Sequence, residues 1–254
     1  MASLLQCVSI PRSGHHFLIK LLRAYFNDRS TNTQRMTYCE FYHCCKTRPC
    51  RLYDSDSSSS QARVHVQKSH DEFLRRRDKE HEPPFEISNQ GKHLVQFRHP
   101  IPSTISDFIM VNKKLRERQK NEDATIEREC AESNPIPPPT VADWLPFSTR
   151  DLEYRNRFLE KWILQNPWVK SDQYYFLDYD QLLACPKEEL TNVIRFACPE
   201  EPIDDSRIEA ALARHPVKPK RDPQDFEFAS TLSELEPLCT DVWNASKAKL
   251  KLNY

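Results

Sequence analysis

The sequence predicts one α/β domain over residues 1–254, with a central parallel sheet flanked by helices. Short apolar runs without helical spacing, typical of buried strands, alternate along the chain with segments whose apolar residues recur every three or four positions, as in helices. This alternation favours a parallel sheet that is covered on both faces. No internal repeat is visible, and the length suits a single large domain.

The predicted elements follow one another in chain order. Strands are expected at 4–10, 63–68, 93–98 and 174–178, with 36–43 as a further strand or a pocket-lining loop. Helices are expected from 17, from 103, and at 151–166, 187–197 and 206–214. A mobile Ser-rich loop is expected at 54–62, a solvated charged segment at 71–82, and an irregular Pro-rich lid or linker at 121–140.

Composition argues against several classes of partner. Lys and Arg together number 37, as do Asp and Glu, so the formal net charge of +0 favours neither nucleic acid nor an anionic membrane. No apolar run approaches the roughly 18 residues of a membrane span. The N-terminus lacks the features of a secretory signal peptide, so we expect a cytoplasmic protein. The sequence does not indicate an oligomeric state.

The chain has nine cysteines, four of which cluster between residues 39 and 50. Their spacing, C-x4-C-C-x4-C, is not that of a zinc site, and no metal is expected. In a chain without an export signal reduced thiols are the expectation, and a disulfide within the cluster is the alternative.

The turn after the first strand carries the first indication of function. Pro11 ends the strand, Gly14 permits a tight turn, and the apolar spacing of a helix begins at Phe17. The first turn of a helix has unpaired N–H groups that can bind an anion, and Arg12 and Ser13 can add a guanidinium and a hydroxyl. The turn is therefore a phosphate or sulfate site, or else an ordinary connection between strand and helix.

Polar side chains also end two later strands. Lys68, Ser69 and His70 follow one strand, and Arg98 follows the next, with Ser106 in the helix after it. In open α/β sheets, ligands bind beyond the carboxyl ends of the strands. Taken alone, these residues are also compatible with a solvent-facing histidine, a salt-bridged arginine and a serine on a helix surface.

Three motifs together resemble those of sulfotransferases that use 3′-phosphoadenosine-5′-phosphosulfate (PAPS). The turn Pro11-Arg-Ser-Gly14 resembles the loop that binds the 5′-phosphosulfate. Arg98-His-Pro-Ile-Pro-Ser-Thr-Ile-Ser106 is similar to the segment that binds the 3′-phosphate, and Phe176-Leu-Asp-Tyr-Asp-Gln-Leu to the strand whose Tyr contacts adenine. The motifs stand in the family's order between Val8 and about Arg214. The resemblance implies a P-loop-like fold shared with nucleotide kinases, PAPS as co-substrate and 3′-phosphoadenosine-5′-phosphate (PAP) as product.

The resemblance also implies a role for each site residue. The Lys-Ser-His triplet matches one whose His is the general base, which makes His70 the expected base and Glu72 the alternative. Lys68 and Arg12 would neutralise charge on the sulfuryl group and the leaving phosphate. The cofactor-binding residues implied are Arg12, Ser13, Gly14, His15, His16, Phe17, Arg98, Ser106 and Tyr179.

The chain departs from the family's pattern in its flanking residues. His15 and His16 replace hydroxyl residues, and Phe17 stands where many members have Trp. The family's Arg-Lys-Gly motif near the C-terminus is absent, and the charge it supplies could come instead from Lys218, Lys220 and Arg221.

The expected function is transfer of a sulfuryl group from PAPS to a hydroxyl or amine of a small-molecule acceptor. One alternative is a P-loop kinase-like phosphotransferase, although the turn lacks the first Gly and the Lys-Ser/Thr pair of G-x-x-x-x-G-K-[ST]. A non-catalytic PAP-binding protein is the other.

Overall fold

The computed structural model describes residues 3–28, 33–40, 63–71, 91–126, 138–169, 171–219 and 222–251. Its centre is a five-stranded sheet in the spatial order β2-β3-β1-β4-β5. Every neighbouring pair of strands in it is parallel. The strands are β1 (Ser3–Ser9), β2 (Met36–Glu40), β3 (Val64–Ser69), β4 (Lys92–Phe97) and β5 (Tyr174–Asp178). The predicted α/β fold is therefore confirmed.

Helices follow the strands and flank the sheet. They are α1 (His15–Phe26), α2 (Pro100–Ile126), α3 (Val141–Leu159), α4 (Tyr179–Ala184), α5 (Pro186–Ala197), α6 (Asp205–Arg214), α7 (Leu232–Leu235) and α8 (Pro237–Lys251). A π-helical turn, Glu160–Leu164, continues α3, and short 3₁₀ turns lie at Pro223–Asp225 and Ala229–Thr231. A separate pair of two-residue antiparallel strands, Asn27–Asp28 and Thr33–Gln34, follows α1.

Side chains alternate between two cores on the opposite faces of the sheet. In β1, Leu5 and Cys7 pack into the core formed with α1, α5 and α6, whereas Val8 packs into the core formed with α3, the π turn and α8. This alternation is the two-residue period of a strand, and it is possible only because both faces are covered by helices. A third cluster joins α2 to α3 and α7 around Phe108 and Trp144.

Parallel strands bring all their carboxyl ends to one edge of the sheet, and the predicted site residues lie at this edge. The loop 11–14 follows β1, His70 follows β3, and Arg98 follows β4. Tyr179 follows β5, and Glu40 ends β2. The strand register therefore places residues from distant parts of the sequence beside one another.

Several element bounds differ from those predicted. Helix α2 continues to Ile126, so residues 121–126 of the expected irregular segment are helical; they precede the prolines and include good helix formers. Helix α3 begins at Val141 because Thr140 and Asp143 form a capping box, and Pro146 is accommodated within the helix. Helices α7 and α8 were not predicted.

Some expectations lie outside the described residues. These are the Ser-rich loop 54–62, most of the cysteine cluster, the segment 127–137 within the expected lid, and the residues Glu72, Lys220 and Arg221. Among the helices that the structure describes, none combines the length and apolar character needed to cross a bilayer.

Candidate functional site

The loop between β1 and α1 has an unusual backbone. Arg12 has a φ of 66° and Gly14 a φ of 78°, both in the left-handed region. That conformation costs a non-glycine residue roughly 1 kcal/mol, and it persists only where surrounding contacts hold it. Gly14 is the N-cap of α1 and has no side chain to accept from the first-turn N–H groups. A bound anion can take that role.

Buried hydrogen bonds hold the loop in place. The Ser13 hydroxyl donates to the carbonyl oxygen of Ile10 at 2.7 Å, so it fixes the turn instead of facing solvent. Gln96 on the neighbouring strand β4 donates from Nε2 to the Ser13 carbonyl at 2.6 Å. The Ser13 backbone N–H also donates to the Ile10 carbonyl oxygen, at 3.2 Å, and the residue is fully buried. Ser13 therefore fixes the shape of the loop through both its side chain and its backbone.

Arg155 holds the loop by a hydrogen bond, and it was not among the site residues predicted from the sequence. It is fully buried, and its Nη1 donates to the Pro11 carbonyl at 3.0 Å. Its Nε donates to Asp151 Oδ2 at 2.7 Å and to Thr104 Oγ1 at 2.9 Å, which ties α2 and α3 to the loop. A buried charge is stable only when it is paired in this way. The i,i+4 spacing of Asp151 and Arg155 was the only signal in the sequence, and it is also common on helix surfaces.

Tyr179 packs directly on Gly14. A Cβ atom built at Gly14 would overlap the Tyr179 ring, so only glycine fits at this position. The Arg98 guanidinium lies 5.1 Å from the centroid of the same ring, in cation–π geometry. Tyr179 thus joins the two predicted phosphate motifs, which are far apart in the sequence.

A cavity of about 480 Å³ lies beside this ring. Its lining includes Arg12, Arg98, Ser106, Tyr179 and Lys218. Arg12 Nε donates to Ser106 Oγ at 3.1 Å, so the side chains of the two predicted phosphate motifs are in direct contact. The structure therefore brings four of the predicted site residues, and the exposed Lys218, to one cavity that is rich in positive charge.

His70 lies next to the loop, beyond the end of β3. Its Nδ1 is 2.7 Å from the carbonyl oxygen of Ser9, so Nδ1 carries the donated proton and Nε2 has the lone pair. Burial lowers the pKa of His70 to about 4, although the hydrogen bond to Ser9 opposes this shift. The ring is therefore neutral near pH 7 and can accept a proton at Nε2.

Lys68 is buried and has an acidic partner that the sequence reasoning did not single out. Its Nζ lies 3.5 Å from Oε1 of Glu40, the residue paired with it in the register of β2 and β3. Burial lowers the pKa of Lys68, and Glu40 partly restores it. Burial by itself would raise the pKa of Glu40. The pKa is nevertheless lowered overall, because the Tyr38 hydroxyl donates to Glu40 at 2.7 Å and Lys68 carries a positive charge.

Asp71 corrects the expectation of a solvated segment at 71–82. Its side chain is fully buried, and its Oδ2 accepts from Lys161 Nζ at 2.8 Å and from Trp162 Nε1 at 3.0 Å. Lys161 and Trp162 belong to the π turn after α3. The sequence predicts an exposed charge at this position, whereas the π turn supplies the Asp71 carboxylate with two donors.

The histidines after the loop occupy different environments. His15 is 4% exposed, and burial together with the Lys68 charge holds its pKa well below the usual range. His16 is exposed, and Phe17 packs at the edge of the α1 core. Within the described ranges no group of three or more His, Cys, Asp or Glu side chains could hold a metal ion.

Acidification is expected to destabilise the protein through its buried histidines. The pKa values of His70 and His93 are each lowered to about 4, mainly by burial, from the ordinary 6.5. The unfolded chain then binds more protons than the folded chain between pH 6.5 and 4, so stability falls as the pH drops through that range. At pH 5 the loss is about 2 kcal/mol for each histidine.

Thermal melts at pH 7 and pH 5 measure this loss. His93 lies in β4, at the strand end opposite the site, so His93→Gln tests the effect apart from function. We expect its melting temperature to fall less between the two pH values than that of the wild type. An equal fall in both proteins would contradict the assignment.

Comparisons with known proteins show the fold. No protein-family model matches the chain, and no curated protein sequence matches it significantly. The crystal structure of mouse sulfotransferase SULT7A1 complexed with PAP aligns with a TM-score of 0.50 at 10% identity, over 99% of this chain and 86% of that one. The sulfotransferase domain of the Synechococcus PCC 7002 olefin synthase aligns with a TM-score of 0.44 at 14% identity, over 96% and 93%. The alignment with the mouse structure shows that the chain has a sulfotransferase-like α/β fold.

Proposed function

We propose that the protein transfers a sulfuryl group from PAPS to a hydroxyl or amine of a small-molecule acceptor and releases PAP. One observation carries the proposal: Arg12, Arg98, Ser106 and Tyr179, from three separate motifs, line a single cavity. The parallel strands bring the motifs to one edge of the sheet, and the hydrogen bond from Arg12 Nε to Ser106 Oγ at 3.1 Å joins two of them directly. The mouse protein of similar fold was crystallised with PAP, which supports the same donor here.

The donors around the cavity match the two ends of the nucleotide. In our proposal the first turn of α1, with Arg12 and the backbone of Gly14, binds the 5′-phosphosulfate. Arg98, Ser106 and Lys218 bind the 3′-phosphate, and the adenine lies against Tyr179 or Phe17. Guanidinium groups suit this task because they hydrogen-bond phosphate oxygens in a fork.

Transfer itself requires a base and charge neutralisation. As the acceptor oxygen or nitrogen attacks sulfur, His70 Nε2 accepts its proton, and the bond between sulfur and the bridging phosphate oxygen breaks. Arg12 and Lys68 then neutralise the charge that collects on the sulfuryl and phosphate oxygens. Lys68 would have to turn from Glu40, 3.5 Å away, towards the transferring group.

A small soluble acceptor and a cytoplasmic location belong to the same proposal. The five described cysteines are all free thiols, as expected in a reducing compartment. They are Cys7, Cys39, Cys185, Cys198 and Cys239.

A non-catalytic PAP-binding protein is the second candidate. Two observations favour it. Glu40 already neutralises the charge of Lys68, and the low pKa of His70 makes that residue a weak base. This candidate predicts PAP binding without transfer to any acceptor, so a PAPS turnover assay over a panel of phenols, alcohols and amines separates the two.

A thermal-shift titration with PAP tests the nucleotide site. At 100 times its dissociation constant, a ligand specific for the folded state adds about 2.7 kcal/mol, or roughly 5–10 °C for a protein of this size. We expect this shift with PAP, a smaller one with AMP, and its loss in Arg98→Ala. Arg195→Ala, an exposed arginine of α5, is the matched control and should respond like the wild type. A shift with Mg-ATP but none with PAP would overturn the proposal and favour a kinase-like phosphotransferase.

A further inference from the structure

The arginine proposed to bind the 3′-phosphate already has an acidic neighbour. Arg98 Nε lies 3.6 Å from Asp180 Oδ1, and the side chains are only 12% and 24% exposed. The distance is that of an ion pair but exceeds a hydrogen bond. Asp180 is in the first turn of α4, directly after Tyr179. Arg98 lines the cavity and Asp180 does not, and the pair is in partly desolvated surroundings where a charge acts strongly.

The cavity has more positive than negative charge on its lining. Among the residues that the structure describes, four cationic side chains and one carboxylate line it. The cationic residues are Arg12, Arg98, Lys113 and Lys218, and the carboxylate is Asp222. Asp180 is not part of the lining and acts through Arg98. Such a cavity would hold a nucleotide with two phosphate groups tightly, and a product that binds tightly leaves slowly.

We propose that Asp180 is an internal counter-ion of Arg98 that weakens binding of the 3′-phosphate and so allows PAP to leave. This inference rests on the proposed function of the cavity. When the 3′-phosphate binds Arg98, the carboxylate remains close to the same guanidinium, and the two anions repel each other. The repulsion is present only for nucleotides that have a 3′-phosphate.

The geometry favours a counter-ion over a residue that orients Arg98. Orientation of an arginine by a carboxylate depends on short, paired hydrogen bonds, and Nε of Arg98 makes no hydrogen bond to any described residue. The guanidinium instead lies over the Tyr179 ring, which can hold its plane. Burial lowers the pKa of Arg98, and the nearby Asp180 carboxylate raises it.

Asp180→Asn tests the inference because it removes the charge and keeps the shape. We expect the variant to bind PAP about tenfold more tightly, equivalent to about 1.4 kcal/mol, mainly through slower dissociation. AMP should bind as it does to the wild type. Glu188→Gln, which removes an equal charge from an exposed site on α5, should change neither affinity. Calorimetry gives the affinities, and stopped-flow displacement gives the dissociation rates.

Three other outcomes have distinct meanings. If the wild type binds PAP and Asp180→Asn binds it equally or more weakly, the counter-ion is overturned while the proposed function stands, and weaker binding would indicate that Asp180 orients Arg98. If the wild type does not bind PAP, both the proposed function and this inference fail. Tighter binding of AMP and PAP alike in the variant would also overturn the inference, because the effect would not depend on the 3′-phosphate.

Discussion

Replacing His70 by Ala is expected to lower the turnover number for sulfuryl transfer by about 10²- to 10⁴-fold, the usual range for loss of a general base. The hydrogen bond from Nδ1 to the Ser9 carbonyl places the lone pair on Nε2, the atom proposed to accept the acceptor's proton. His70 is not part of the cavity lining, so PAP should bind the variant and the wild type equally.

The pH dependence of turnover gives an independent measure of the same residue. A base with a pKa of about 4 is neutral at pH 6 and at pH 8, so His70 itself should cause no loss of turnover between them. A histidine with the ordinary pKa of 6.5 would be mostly protonated at pH 6, and turnover would fall there. The pH profile therefore tests whether the buried environment of His70 persists during the proposed turnover.

His93→Gln is the matched control, because His93 lies in β4 at the strand end opposite the site. It should retain wild-type turnover. Undiminished turnover in His70→Ala would remove His70 as the base, and a loss in Glu72→Gln would then assign that role to Glu72. Loss of PAP binding in His70→Ala would mean that the residue supports the loop instead.

The sequence was sufficient for the sheet because the strands are short apolar runs between polar turns. β5 was predicted with its observed bounds, and the other strand ends shifted by at most a few residues. The convergence of Arg12, Arg98, Ser106 and Tyr179 could also be expected, since parallel strands have their carboxyl ends at one edge. The features that could be predicted are those that depend on local residue spacing and on the common direction of the strands.

The residues that were missed act through contacts between distant segments. Arg155 is in the middle of a helix, and only the packing of α2 and α3 shows that it reaches the Pro11 carbonyl. Glu40 could be recognised only once the register of β2 and β3 placed it beside Lys68. Asp71 looked exposed because the donors from the π turn come from about ninety positions later in the chain. None of these contacts leaves a periodic signal in the sequence.

Substituting Ala for Gly14 is expected to abolish the thermal response to PAP and to lower the melting temperature. The alanine residue must adopt a φ of 78°, and its methyl group overlaps the Tyr179 ring. That ring cannot move away without displacing Arg98. One substitution therefore disturbs both proposed phosphate sites. The backbone strain alone costs roughly 1–2 kcal/mol, or about 2–4 °C of melting temperature for each kcal/mol.

Gly91→Ala separates loss of stability from loss of binding. Gly91 has the same φ of 78°, and a Cβ there would meet the Leu4 carbonyl oxygen at 2.5 Å. It precedes β4, at the edge of the sheet opposite the cavity. We expect Gly91→Ala to melt earlier than the wild type and still to gain the full PAP shift, whereas Gly14→Ala gains none. A full PAP shift in Gly14→Ala would show that the loop is not the phosphosulfate site. PAP would then bind normally although the close packing of Tyr179 against the loop had been disrupted.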